Sequence, residues 1–151
     1  MFATIVESRV QPLESTLHVP FSISQGAVEQ VANALVVLQD STGRTGLGEA
    51  APFPVLTGDT QEIALKAAKE ILSELSNLTP AAALEKLHNV LWKAFQYAPS
   101  ARTGVEIALW DLHAQQMNVP LWMLWGRTGL HTAETDITLP CLPAKDVAMF
   151  W

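Results

Sequence analysis

From Phe2 to Val10 the chain alternates, with Phe2, Thr4, Val6, Ser8 and Val10 on one side and Ala3, Ile5, Glu7 and Arg9 on the other. A period of two predicts a half-buried strand. Pro12 and Pro20 bracket Leu13 to Val19. Proline brings no N–H to a ladder, so this stretch is predicted as a sheet edge or a loop. Phe21 to Gly26 reads as a short loop of mixed polarity, and Asn33 to Gln39, rich in Leu and Val, as a central strand. Asp40-Ser41-Thr42-Gly43 is a turn, because Asp bonds its own backbone and Gly accepts positive φ. Thr45 to Ala50 returns as a further strand. The sequence up to Ala50 thus predicts a three-stranded antiparallel meander.

After Ala50 the period lengthens. Asp59 and Glu62 have capping-box spacing, and Ile63, Ala67, Ile71 and Leu75 share one helical face. Thr79-Pro80 predicts a second helix start, with Thr as cap and Pro where no N–H is needed. Leu84, Leu87, Leu91 and Phe95 form its apolar stripe. Ser100 is predicted to open a third helix, with Val105, Ala108, Leu109 and Leu112 facing inward. Asn118 to Pro120 ends it, since the residue before Pro avoids the α region. Leu121 to Trp125 is one apolar turn closed by Gly126.

Glu134 to Leu139 alternates again and predicts a strand, and a helix is predicted from Pro143 through Val147, Met149 and Phe150. One such strand has no parallel partner in the sequence. Its edge is unpaired, so Ala133 to Trp151 is expected to be either poorly ordered or docked on another copy of the chain, and a homo-oligomer is expected. The isolated β-then-α unit is also the expected sign of a fragment.

Composition narrows the function classes. Apolar residues make up 49% of the chain, which argues against disorder. The 9 Lys and Arg are scattered and the net charge is -6, so no basic stripe invites nucleic acid. No apolar run approaches a membrane span and no secretory signal is visible, so a cytoplasmic protein is expected. Cys141 is the only cysteine. The 5 Trp fall in the second half, which must bury a large aromatic surface or present one.

The chemistry-bearing residues form no catalytic constellation. Gly43, Gly46 and Gly48 sit in a hairpin, not between a strand and a helix, so they cradle no phosphate. His18, His88, His113 and His131 lie in four separate segments without metal-ligand spacing. Glu49, at a strand end, reads as a buried or half-buried structural acid holding the next loop by backbone hydrogen bonds. Glu106 and Asp111 stand about 500° apart around their helix at roughly 100° per residue. They therefore read as packing and capping groups, not as an acid–base pair.

Several stretches carry a family resemblance. Gly46-Leu47-Gly48-Glu49-Ala50-Ala51-Pro52-Phe53-Pro54, followed by Thr57-Gly58, resembles the hairpin and following loop of muconate-lactonizing-type enolase-superfamily proteins. Ala101 to Leu112 resembles that family's third capping helix. Val119-Pro120-Leu121-Trp122 and Leu124-Trp125-Gly126 resemble its continuation toward the barrel. Glu134 to Leu139 is similar to the first barrel strand of the dipeptide epimerase branch.

The resemblance implies an α+β fold: a three-stranded meander on a three-helix bundle, residues 1–126, then a linker and the first strand and part of the first helix of a (β/α)8 barrel, residues 127–151. It implies a parent isomerase that abstracts a proton α to a carbonyl, with Mg2+ stabilising the enolate and two lysines as base and acid. A complete barrel needs about 200 residues or more. The chain alone is therefore expected to bind no Mg2+ and to be inactive. What it contributes is a lid toward a dipeptide or other small carboxylate. The implied substrate contacts are Phe21, Ser22, Ile23 and Ser24 in one loop and Pro54, Val55, Leu56, Thr57 and Gly58 in another, with Thr135 and Asp136 on the barrel strand. A muconate cycloisomerase, an o-succinylbenzoate synthase-like enzyme and a non-catalytic Trp-rich binding module stand as alternatives.

Overall fold

The computed structural model describes residues 2–23, 26–129, 132–135 and 145. Ser24, His131, Asp136, Cys141, the strand expected to run to Leu139 and the helix expected from Pro143 (Lys145 apart) lie outside the described residues. Strands β1 (Ile5–Ile23) and β2 (Gly26–Asp40) form a long antiparallel hairpin, and β3 (Thr45–Ala50) joins β2, giving the order β1-β2-β3. The predicted meander is therefore present, with two corrections. Phe21 to Ile23 is strand and not loop: Phe21 pairs with Val28, Ser22 with Ala27 and Ile23 with Gly26, so the ladder occupies this backbone. The alternation at the start also changes phase. A register irregularity between Ile5 and Glu7 leaves Ile5 2% exposed and Val6 54% exposed, because an extra residue in one strand reverses which face its neighbours take.

β3 pairs with β2 only from Ala34 to Gln39. Beyond Asn33 the hairpin continues as an arm of two strands. Pro12 and Pro20 are tolerated because β1 is the edge strand. Ala34, Val36, Leu38 and Ala50 are fully buried on the sheet face that meets the helices.

Two helix starts depart from the expected chemistry. Helix α1 is a single turn, Pro54–Thr57, where a loop was expected. Helix α2 (Gln61–Ser73) is capped by Thr60, whose Oγ1 accepts from the Ile63 N–H at 3.3 Å. Asp59 forms no capping box with Glu62. It is wholly buried and accepts from the backbone N–H of Ser100 at 3.1 Å and from the Ser100 hydroxyl. It thus satisfies the start of helix α5 (Pro99–Met117), which opens at Pro99 and not at Ser100.

Helix α3 (Pro80–Lys86) starts as predicted, with Thr79 Oγ1 accepting from Ala82 N–H. It passes into a π-helical turn, Leu87–Leu91, and then α4 (Trp92–Ala94). The Trp92 N–H reaches back five residues to the Leu87 carbonyl, and the wider turn keeps both Leu87 and Leu91 in the core. Helix α5 ends at Asn118, at φ 55°, and α6 (Leu121–Leu124) is followed by Gly126 at φ 80°. Val105, Ala108, Leu109 and Leu112 are fully buried, as their spacing predicts.

Glycine sets the contact between β3 and α5. A Cβ on Gly48 would fall 2.0 Å from the Gly104 carbonyl oxygen, and one on Gly46 would fall 2.4 Å from that of Ala108. The same helix blunts the free edge of β3: Asp111 Oδ2 accepts from the Leu47 N–H at 2.8 Å, and Gln115 Nε2 donates to the Thr45 carbonyl at 2.7 Å. Asp111 is therefore the capping group its spacing implied. At the β2–β3 turn Asp40 is 1% exposed. Burial raises its pKa, but hydrogen bonds from Thr42, from Gln116 and from the backbone N–H groups of Thr42 and Arg44 prevail, and the net shift is downward.

Candidate functional site

The exposed end of the molecule is built from the arm and from the segment between β3 and α2. Pro54 starts α1 with its φ already helical, and Gly58, at φ 78°, ends it. The turn closes on itself. The Phe53 N–H donates to Thr57 Oγ1 at 2.9 Å, the Thr57 hydroxyl donates to the Phe53 carbonyl at 2.9 Å, and the Gly58 N–H donates to the Pro54 carbonyl at 3.1 Å. None of its residues is buried; Val55 is 62% and Leu56 67% exposed. A turn that holds its shape internally presents two aliphatic side chains outward.

Beside it runs an apolar groove of about 410 Å³ lined by Leu17, Val28, Val31 and Ala32 of the arm and by Pro52 and Phe53 of the segment leading into the turn. The structure thus brings the turn-bearing segment against the arm whose tip carries Phe21, Ser22 and Ile23. Thr135 and Glu134 are exposed in irregular backbone, and neither lines the groove.

Glu49 departs from the sequence reading. It is exposed, and its Oε1 accepts from the Asn33 side-chain amide instead of holding the next loop through backbone groups. Asn33 is 8% exposed, and its main-chain carbonyl accepts from Gln61 Nε2 at 2.7 Å. Sequence reasoning missed Asn33; its one signal is a polar residue opening an apolar run.

The remaining polar groups serve packing. His88 Nε2 lies 3.0 Å from Glu106 Oε1, which also accepts from Trp110 Nε1 at 3.4 Å. The Arg102 guanidinium stacks 4.0 Å from the Trp92 ring centre and donates to the Trp92 carbonyl. Trp110 and Trp125 meet edge to face, with Trp125 still 63% exposed. Among the described residues no group of three or more His, Cys, Asp or Glu is placed to hold a metal ion. Nor is any helix among them long and apolar enough to cross a membrane.

Residues 5–126 match the N-terminal domain of the mandelate racemase / muconate lactonizing enzyme family. The chain belongs to that family. Its relatives include the L-Ala-D/L-amino acid epimerase of Populus trichocarpa, 34% identical over 141 residues that make up 91% of this chain and 33% of that protein. Among solved structures, the dipeptide epimerase from Enterococcus faecalis V583 complexed with Mg and dipeptide L-Leu-L-Tyr superposes with a TM-score of 0.77 at 30% identity, covering 82% of this chain and 34% of the other. The dipeptide epimerase from Methylococcus capsulatus complexed with Mg and dipeptide L-Arg-D-Lys superposes with a TM-score of 0.86 at 27% identity, covering 97% and 41%. The chain spans about a third of the length of the curated relatives it matches, 33% of the Populus trichocarpa protein. The sheet and helices described above are the family's capping domain.

Proposed function

We propose that residues 1–126 form the capping domain, and residues 127–151 the entry into a (β/α)8 barrel, of a Mg2+-dependent dipeptide epimerase. The capping domain is the lid. Val55 and Leu56 on α1, with Thr57 and Gly58 and the arm-tip residues Phe21, Ser22, Ile23 and Ser24, contact the part of the dipeptide away from its reacting carbon; Thr135 and Asp136 approach it from the barrel side. Proton abstraction α to the carbonyl, the lysine base and acid, and the metal ligands belong to the barrel portion. The chain alone is inactive. Its partner is a small carboxylate, not nucleic acid or a lipid bilayer, and the whole enzyme is a cytoplasmic homo-oligomer.

The observation that carries this reading is the exposed pair Val55 and Leu56 on a self-closed turn beside an apolar groove. Apolar groups held rigidly at a rim favour an apolar side chain and exclude water from it. The dipeptide epimerases that superpose on the chain support the substrate class. The test is solvent exchange. The full-length enzyme containing this segment, with Mg2+ and a dipeptide in deuterated water, is expected to place deuterium at one α-carbon, while the segment alone does not. Deuterium incorporation by the segment alone, or none by the full-length enzyme on any of a broad dipeptide panel, would overturn the proposal.

A further inference from the structure

Asn33 occupies a junction. It is the last residue of β2 before β3 begins to pair, at Ala34 with Ala50, so it stands at the base of the two-stranded arm. Its side-chain amide donates to Glu49, just before the segment that carries α1, and its carbonyl accepts from Gln61 Nε2, just after that segment. One arm residue is therefore bonded to both ends of the turn-bearing segment. At 8% exposure Asn33 meets little competition from water, which strengthens both bonds. Among the described residues the other ties of the turn-bearing segment, the Ala34–Ala50 pairing and the Ser100 bonds to Asp59, do not reach the arm beyond Asn33. The turn buries nothing, and beyond Asn33 the described backbone of the arm is a ribbon of two strands held by its own ladder.

We propose that Asn33 is a positioning residue that locks the arm to the turn-bearing segment, so that the two lid elements hold one fixed separation. Its consequence for substrate choice rests on the lid reading proposed above; the lock itself does not. Because Asn33 touches the reacting atoms of nothing, it acts through Glu49 and Gln61.

The test reads the separation directly. Spin labels are placed at Glu29 on the arm and Val55 on the turn, with Cys141 replaced by Ser, and the interlabel distance distribution is measured by pulsed EPR. The parent should give one narrow distribution. Glu49→Ala combined with Gln61→Ala should broaden it by about twofold, since the arm then keeps only its ladder. Glu49→Gln alone keeps an acceptor oxygen and should stay narrow. Glu49 is exposed and Gln61 half-buried, so neither truncation empties the core, and Asn33→Ala is read beside them. Leu87→Ala serves as a control: it should lower the melting temperature without broadening. An unchanged width in the double variant, or equal broadening in Leu87→Ala, would overturn the lock. In the full-length enzyme the double variant should change the ratio of kcat/KM between two dipeptides by about tenfold. Broadening with an unchanged ratio leaves the lock standing and removes the lid reading instead.

Discussion

Where β3 meets α5, glycines bring two backbones into contact; at Pro54–Thr57, on the next stretch of the same chain, no residue is buried at all. The two regions are fixed in opposite ways. The first depends on shape shared between elements distant in sequence, and any added atom collides. The second depends on hydrogen bonds among six consecutive residues, Phe53 to Gly58, and on a few ties at its ends. The difference separates what holds the fold from what is free to vary. Substitutions at the contact act on stability, whereas substitutions on the turn leave the fold alone and act on whatever the turn touches.

The largest effect is expected from Gly48→Val. Its Cβ has no room, lying 2.0 Å from a backbone oxygen that cannot swing aside as a side chain does. We expect a loss of about 5 kcal/mol or more, enough to abolish cooperative thermal unfolding. A variant that melts like the parent would mean that α5 shifts freely on the sheet, and the contrast with the turn would collapse.

Asp59 lies between the two regimes, one residue past Gly58 but wholly buried. Asp59→Ala strips the Ser100 N–H and hydroxyl of their acceptor and should cost about 2 kcal/mol in urea unfolding. A change below about 0.5 kcal/mol would place Asp59 with the tolerant surface positions instead.

A smaller effect is expected at Asp40. Its pKa is lower in the folded state, so the unfolded state binds the proton more readily. The stabilisation is therefore complete above the unfolded value of about 3.9 and disappears as pH falls through the folded value. Asp40→Asn should lose stability at neutral pH and show a flatter decline than the parent as pH falls through and below the ordinary carboxylate range. Parallel stability–pH curves would contradict the sign.

What the sequence disclosed follows the same division. Period and local punctuation located the meander, the stripes of α2 and α5 and the Thr79-Pro80 start, because each signal lies within a few residues of its effect. The segment from Pro54 to Gly58 was marked by the family resemblance and not by local punctuation, and its helical form was not foreseen. Misread features depend on partners far along the chain. Asp59 has capping-box spacing to Glu62 yet is claimed by Ser100, 41 residues on. Gly46 and Gly48 look like hairpin glycines until α5 lies across them. Glu49 answers Asn33, 16 residues earlier, and no local pattern marks that pair. The π turn is hidden by an intact leucine stripe, since Leu87 and Leu91 stay buried either way.

The smallest effect on stability, and the most direct test of the central claim, belongs to the lid. Phe21→Ala, Val55→Ala and Leu56→Ala are compared with the parent in the full-length enzyme over a panel of dipeptides. Val55→Ala and Leu56→Ala should each change unfolding stability by no more than about 0.5 kcal/mol, since their side chains are exposed. Contacts away from the reacting carbon are alike in ground and transition states, so they act on KM more than on kcat. The expected result is a shift of roughly 10- to 200-fold in kcat/KM between dipeptides that differ in one apolar side chain, with kcat on the favoured substrate nearly unchanged. A uniform fall across every dipeptide, confined to kcat, would contradict the assignment and make the two segments a closure gate required for all substrates.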